Sequence, residues 1–224
     1  EVGARTNGYY STKEAGDLTN VFDYGIRWAP CIYPYYDGKY GWYENPEQNS
    51  EVRNNLYFLN RIQGRQVVEH VSVTPFVNID LPFGIKSKTT FRYGSTHMER
   101  DEHSITRDAW SFRTGEIIKS DQDLSAQIRR LTTQITRNIY FETDLSWAET
   151  FAEKHDVSAM VGVEAINNIA RDFSATKKGA ENSVLHEFNN MLTPSAISGT
   201  SSEYSSLSFF SRLTYAYDSR YLVE

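Results

Sequence analysis

Cysteine is almost absent from this 224-residue chain: Cys31 stands alone, which excludes an internal disulfide framework and a thiolate zinc cluster. No apolar run reaches about 18 residues, so no segment is suited to cross a membrane as a helix. The mean hydropathy of -0.55 does not extend that exclusion to a membrane β-barrel, whose polar lumen face dilutes the signal. A basic excess is missing too. The net charge of -6 argues against nucleic acid as the main partner, because phosphate binding needs a basic surface. No Gly-x-Ser-x-Gly, Walker loop or His-Glu-x-x-His occurs and the five histidines are scattered, so no catalytic residue, cofactor or metal centre is expected. The chain opens at Glu1 without a signal peptide and stops in the strand-like Tyr221-Leu222-Val223-Glu224. A segment of a longer protein is the expectation.

What the chain does have is alternation. Leu131, Thr133, Ile135, Ile139, Phe141, Thr143, Leu145 and Trp147 share one parity, and Thr132, Gln134, Thr136, Asn138, Tyr140, Glu142, Asp144 and Ser146 the other. Successive side chains of a strand point to opposite faces, so this is a ribbon with one apolar and one polar side. After the turn Ala152-Glu153-Lys154-His155-Asp156 it returns with Val157, Ala159, Val161, Val163, Ala165 and Ile169 on one face and Ser158, Gly162, Glu164 and Asn168 on the other. Residues 66–81 alternate likewise, with Pro75 predicting a bulge or break. Residues 85–96 set Ile85, Thr89, Phe91 and Tyr93 against Lys86, Lys88 and Arg92, and residues 207–217 set Leu207, Phe209, Leu213, Tyr215 and Tyr217 against Ser206, Ser208, Arg212 and Thr214. Residues 2–12 read as a strand's tail. Asp17 or Thr19 is placed to cap a short helix running to about Trp28, before Pro30.

Three connections are short, at residues 81–84, 152–156 and 218–220. Three are long, at residues 13–61, 97–123 and 176–202, the last with a helical turn expected over 184–192. Long and short alternate strictly, so an up-and-down sheet collects every short turn at one end, the asymmetry of outer-membrane barrels. The competing reading is an ordinary antiparallel sheet with one face on a core. Strands two to three times longer than a sandwich uses, a charged and amide-rich polar face, and aromatics near strand ends (Phe83, Trp147, Phe151, Tyr215, Tyr217, Tyr221) favour the barrel.

Lys154-His155-Asp156-Val157 through Gly162-Val163-Glu164-Ala165 resembles a hairpin of SusC/RagA-like TonB-dependent outer-membrane transporters, and residues 207–222 resemble that family's strand-turn-strand. Ser211 departs from it, standing where Gly is usual; Arg53-Asn54-Asn55 fits the register more loosely. The resemblance covers residues 20–224. It implies that residues 1–224 are part of a TonB-dependent receptor β-barrel domain of about 22 strands, lacking its plug, Ton box and remaining strands. The expected fold is all-β: a partial, open, antiparallel up-and-down sheet of six to seven strands with long extracellular loops. The resemblance further implies a Gram-negative, Bacteroidetes-like outer membrane, TonB as energy source, a SusD-like surface lipoprotein, contact with outer-membrane lipid, and uptake of oligosaccharide or peptide. A β-rich surface adhesin or structural sheet protein and a passive porin are the alternatives.

Two residue sets are singled out. Lys86, Lys88, Arg92, Glu142, Asp144 and Glu164 share the face expected to line the lumen. Glu142 and Asp144 have no facing partner legible in the sequence, so a hydrated wall is favoured over paired-carboxylate glycosidase chemistry. Tyr33, Tyr35, Tyr36, Tyr40, Trp42 and Tyr43 form an aromatic loop suited to stack on sugars or anchor an interface, or else to pack upon itself. His97, Glu99, Asp101 and His103 read as a solvated loop base. The alternative is that these acids bridge divalent cations to lipopolysaccharide phosphates.

Overall fold

The computed structural model describes residues 1–14, 33–42, 54–59, 61–182, 184–185, 187–218 and 220–223. The helix expected before Trp28, Cys31, Tyr43 and Arg53 lie outside the described residues. The strands are β1 (Val2–Glu14), β2 (Tyr35–Tyr36), β3 (Lys39–Gly41), β4 (Ile62–Asp80), β5 (Ile85–Ser104), β6 (Asp108–Trp110), β7 (Ile117–Ser120), β8 (Ile128–Phe151), β9 (His155–Ala180), β10 (Met191–Tyr217) and β11 (Tyr221–Val223). A short helix, α1 (Asn55–Leu59), lies between β3 and β4.

Seven of these strands form one sheet in the order β1-β4-β5-β8-β9-β10-β11. Every neighbouring pair is antiparallel. The order follows the chain, with the intervening excursions set aside. Register carries the sequence parity across strands: Tyr93, Ile139, Asn167 and Ser205 fall in one row, and Phe91, Phe141, Ala165 and Leu207 in the next. The apolar parities of successive strands therefore make one continuous face.

The strands outrun the alternation. β5 continues through His97, Glu99, Asp101 and His103 to Ser104, and β10 runs for 27 residues from Met191. The excursion expected at 176–202 thus shrinks to residues 181–190, and its helical turn to a 3-10 turn at Phe188–Asn190. Residues 198–206, Ser-Gly-Thr-Ser-Ser-Glu-Tyr-Ser-Ser, have no apolar period to mark a strand. The open edge of β9 supplies their backbone groups with partners, and that pairing outweighs weak local preference. Pro75 interrupts the ladder without a bulge: Val73 pairs Tyr93 and Phe76 pairs Thr90 in unbroken register, while Pro75 itself faces Ala4.

The three short turns all use residues at positive φ: Phe83 and Gly84, Ala152 and Glu153, and Asp218. Lys154 donates its N–H to the Phe151 carbonyl, closing a tight turn on Ala152 and Glu153 at φ 48° and 59°. Side chains with a Cβ resist this region. Changing Ala152→Asn with Glu153→Gly is expected to stabilise the complete refolded protein by about 1–2 kcal/mol. An unmoved denaturant midpoint would count against strain in this turn.

At the opposite end, β2, β3, β6 and β7 form a second, four-stranded sheet. β3 and β6 pair in parallel, Tyr40 opposite Ala109 and Gly41 opposite Trp110. The excursions between β1 and β4 and between β5 and β8 are thereby woven into one small cap. It holds the buried cluster Trp42, Tyr57 and Ala109, with Tyr40 and Phe58 packed against it.

Candidate transport wall and its cap

The apolar face of the main sheet has no second layer among the described residues. Val71, Ile79, Leu145, Val161, Leu207, Phe209 and Leu213 all share it and are all exposed, Phe209 at 80%. Soluble monomers seldom expose apolar patches larger than a few hundred Å². A face of this extent requires an apolar surrounding. Its densest part on β8, residues 139–147, is the length of the roughly 9–11 tilted residues that cross a bilayer. Trp147 and Phe151 pack 6.1 Å apart near the short turn, while Phe83 projects from its own turn.

On the opposite face, register brings together the six charged residues picked out by parity. Lys88 stands opposite Asp144, and Lys86 opposite both Asp80 and Ser146. Glu142 stands directly opposite Glu164, so it does have the facing partner that the sequence left illegible. Like charges placed so disfavour a sheet unless something mediates them. Tyr140 does: its hydroxyl donates to Glu142 and lies 3.2 Å from Glu164. Arg92 sits over the Tyr140 ring at 5.4 Å. The result is a connected polar wall in which cationic and acidic side chains occupy adjacent rows. Tyr140 was the member missed from sequence; its signal was its parity with Glu142, two residues on. Arg212, across from Met160 on the same face, was likewise left out.

Two close approaches shape this face. A Cβ on Gly162 would overlap the Phe210 ring, and one on Gly3 would overlap the Phe76 ring. Both phenyl rings lie over the space a side chain would fill.

The aromatic loop divides. Trp42 is buried at 8% exposure and the partly buried Tyr40 meets Tyr57 edge-on at 5.7 Å, so these two pack within the cap, the second of the two readings left open by the sequence. Tyr33, Tyr35 and Tyr36 are exposed. Asn54 holds the loop. Its amide donates to the carbonyls of Pro34 and Gly41 at 2.5 and 2.8 Å, and its oxygen accepts from Leu56 and Tyr57 N–H at 3.0 and 3.1 Å. One buried side chain thus caps α1 and ties it to β3.

Arg107, from the other excursion, donates to the Tyr57 carbonyl at 2.6 Å and lies 5.3 Å from the rings of both Tyr40 and Tyr57. The Tyr57 hydroxyl donates to Asp121. Burial first, then this bond to Asp121, pushes the Tyr57 hydroxyl well above its ordinary range. Burial alone would raise Asp121, but the Tyr57 hydrogen bond and the neighbouring Lys119 together hold it below the usual carboxylate value.

The row His97, Glu99, Asp101, His103 is strand rather than loop base, and His97 and Asp101 are engaged by the protein. His97 lies 4.0 Å from Glu69, and Asp101 accepts from Arg129 at 2.6 Å. Among the described residues no cluster of three or more His, Cys, Asp or Glu is placed to hold a metal.

An open, single-layered antiparallel sheet with short turns at one end, excursions at the other and a face bare to apolar surroundings is a partial segment of a large β-barrel. Comparison with solved structures places it further. The chain is similar to part of the RagAB peptide transporter, at a TM-score of 0.73 and 19% identity over 97% of this chain. It is equally similar to the RagAB peptide importer in its open-open state, at TM-score 0.74 and 19% identity, and in its closed-closed state, at 0.73 and 20%. The chain spans 24% of each of those chains. No family model and no curated protein matches the sequence. The resemblance read from residues 154–165 and 207–222 therefore holds at the level of the fold.

Proposed function

We propose that this chain is a stretch of the barrel wall of a TonB-dependent outer-membrane transporter of the SusC/RagA kind, importing peptides or oligosaccharides rather than catalysing a reaction. The carrying observation is the superposition of 97% of the chain on a peptide transporter; peptide is accordingly the first substrate to test. In this reading Lys86, Lys88, Arg92, Glu142, Asp144 and Glu164 line the water-filled lumen, and the opposite face meets lipid. The short turns face the periplasm. The cap stands outside the cell, with Tyr33, Tyr35 and Tyr36 available to a SusD-like lipoprotein or to the substrate. A surface adhesin offers no reason for a bare apolar face of bilayer length.

The complete reading frame tests this. The expected product enters the outer-membrane fraction, needs detergent for extraction, and migrates differently in gels before and after boiling. Recovery in the aqueous phase without detergent would sink the barrel. Uptake of labelled peptide is expected to stop when the proton gradient is dissipated; undiminished uptake would turn the reading to a passive porin.

A further inference from the structure

On the lipid-facing side, the densest apolar part of β8, residues 139–147, ends upward at Arg137, the next residue of that parity beyond Ile139. Arg137 lies opposite Ile169, and Arg171 lies opposite Ile135. The two arginines are therefore diagonal neighbours on one face, about 7–8 Å apart by sheet geometry. Both are exposed, and neither has an ion-pair or hydrogen-bond partner among the described residues. The acids nearest in register are already engaged. Glu203, opposite Ile169, accepts from the Asn167 amide at 2.7 Å, and Glu69 lies 4.0 Å from His97, which stands opposite Ile135. Ser95 and Ser201, directly across from the arginines on β5 and β10, carry no charge.

A second feature adjoins them. An open groove of about 450 Å³ crosses β8, β9 and β10 beside Arg171, lined on this face by Thr133, Ile135, Phe173, Gly199 and Ser201. The small residues of β10 leave it open against the Phe173 ring. Its lining is half apolar, with Arg171 on this face and Asp172, which accepts from the Thr200 hydroxyl, on the other. It lies on the side of the band toward the long excursions and cap.

We propose that Arg137 and Arg171 bind the phosphate of an anionic outer-leaflet lipid, with the adjoining groove receiving part of its headgroup. This rests on the barrel reading above, which sets the band in the bilayer and these residues a few ångströms beyond its outer edge. Two unpaired guanidiniums there meet the oxygens of a phosphate in the fork geometry that arginine favours. A free phosphate would meet only one open, solvent-washed side. A lipid is held at the interface by its chains, so the same two contacts act at high effective concentration. Asp101 of β5, engaged by Arg129, and Glu69 of β4, beside His97, are not the lipid ligands; the arginines are.

The test uses the complete protein purified in neutral detergent with added rough lipopolysaccharide, and retained lipid is counted by native mass spectrometry. Arg137→Gln with Arg171→Gln is expected to lower retention about 10- to 30-fold, at roughly 1 kcal/mol per basic residue. Arg137→Lys with Arg171→Lys, which keeps the charge without the fork, is expected to restore only part of it, and millimolar inorganic phosphate to leave it unchanged. Retention that ignores the Gln pair overturns the site. So does an equal loss from Lys86→Gln with Lys88→Gln on the opposite face, which would mean undirected charge. Competition by inorganic phosphate overturns the assignment to lipid. A protein without heat-modifiable migration refutes the barrel reading itself; a heat-modifiable one with indifferent arginines refutes this site alone.

Discussion

Changing Asn54→Ala is expected to unfold the cap while leaving the long strands intact. Asn54 is fully buried and makes four hydrogen bonds, two to α1 and two to the carbonyls of Pro34 and Gly41. Removing it takes away the helix cap, worth about 1 kcal/mol, and takes the side-chain donor from the buried Gly41 carbonyl, at about 1–3 kcal/mol; the Pro34 carbonyl keeps the Gly41 N–H. The sum, about 2–4 kcal/mol, exceeds what so small a unit can spare. A helix as short as α1 has no stability of its own, and β3 meets β6 through only two register pairs. In the complete protein, hydrogen exchange should accelerate across residues 33–42, 54–59 and 105–120 and stay slow in β8 and β9. Asn54→Asp keeps the cap acceptor but sets a buried carboxylate oxygen against both carbonyls, and should be no milder than alanine. Unchanged protection with alanine would show that the cap is held by other contacts.

Reversing Lys86, Lys88 and Arg92 together to glutamate is expected to lower transport at least tenfold. The change sets a carboxylate at position 88 against Asp144 and another at position 86 against Asp80, so β5 would repel both of its neighbours. It also removes the cation from the Tyr140 ring, worth about 0.5–1 kcal/mol when exposed. Like charges directly across a sheet destabilise it, and any element docked against this wall through its cations meets the opposite field. Neutral Lys86→Gln, Lys88→Gln and Arg92→Gln should lose less. Uptake at the normal rate by the reversed variant, correctly inserted, would remove these residues from the transport path.

Both faces of the main sheet were legible in the sequence. Parity placed Lys88 and Asp144 on one side and Phe91 and Phe141 on the other, and the register agrees in every row. The extent of the strands was not. Residues 198–206 carry too little apolar signal to announce a strand, and the ladder of β9 imposes one. The candidate wall was half legible: its six charged members were found, but the Tyr140 bridge between Glu142 and Glu164 exists only because two strands meet in one register.

The cap was the least legible part. Trp42 and Tyr36 belong to the same aromatic run, yet one is buried and the other 64% exposed. Nothing local separates them. What separates them is Tyr57 and Arg107, brought from elsewhere in the chain to pack on Tyr40 and Trp42. By itself, then, the sequence determined which residues share a face, where the chain turns tightly, and that one side needs an apolar surrounding. Those properties follow from the two-residue period of a strand and from local turn chemistry. Only the tertiary structure decided which carboxylates oppose each other, how far a polar strand extends, and which aromatics remain exposed. Each of those depends on register or packing between residues far apart in the chain, and a one-residue slip in register would have changed all of the pairings.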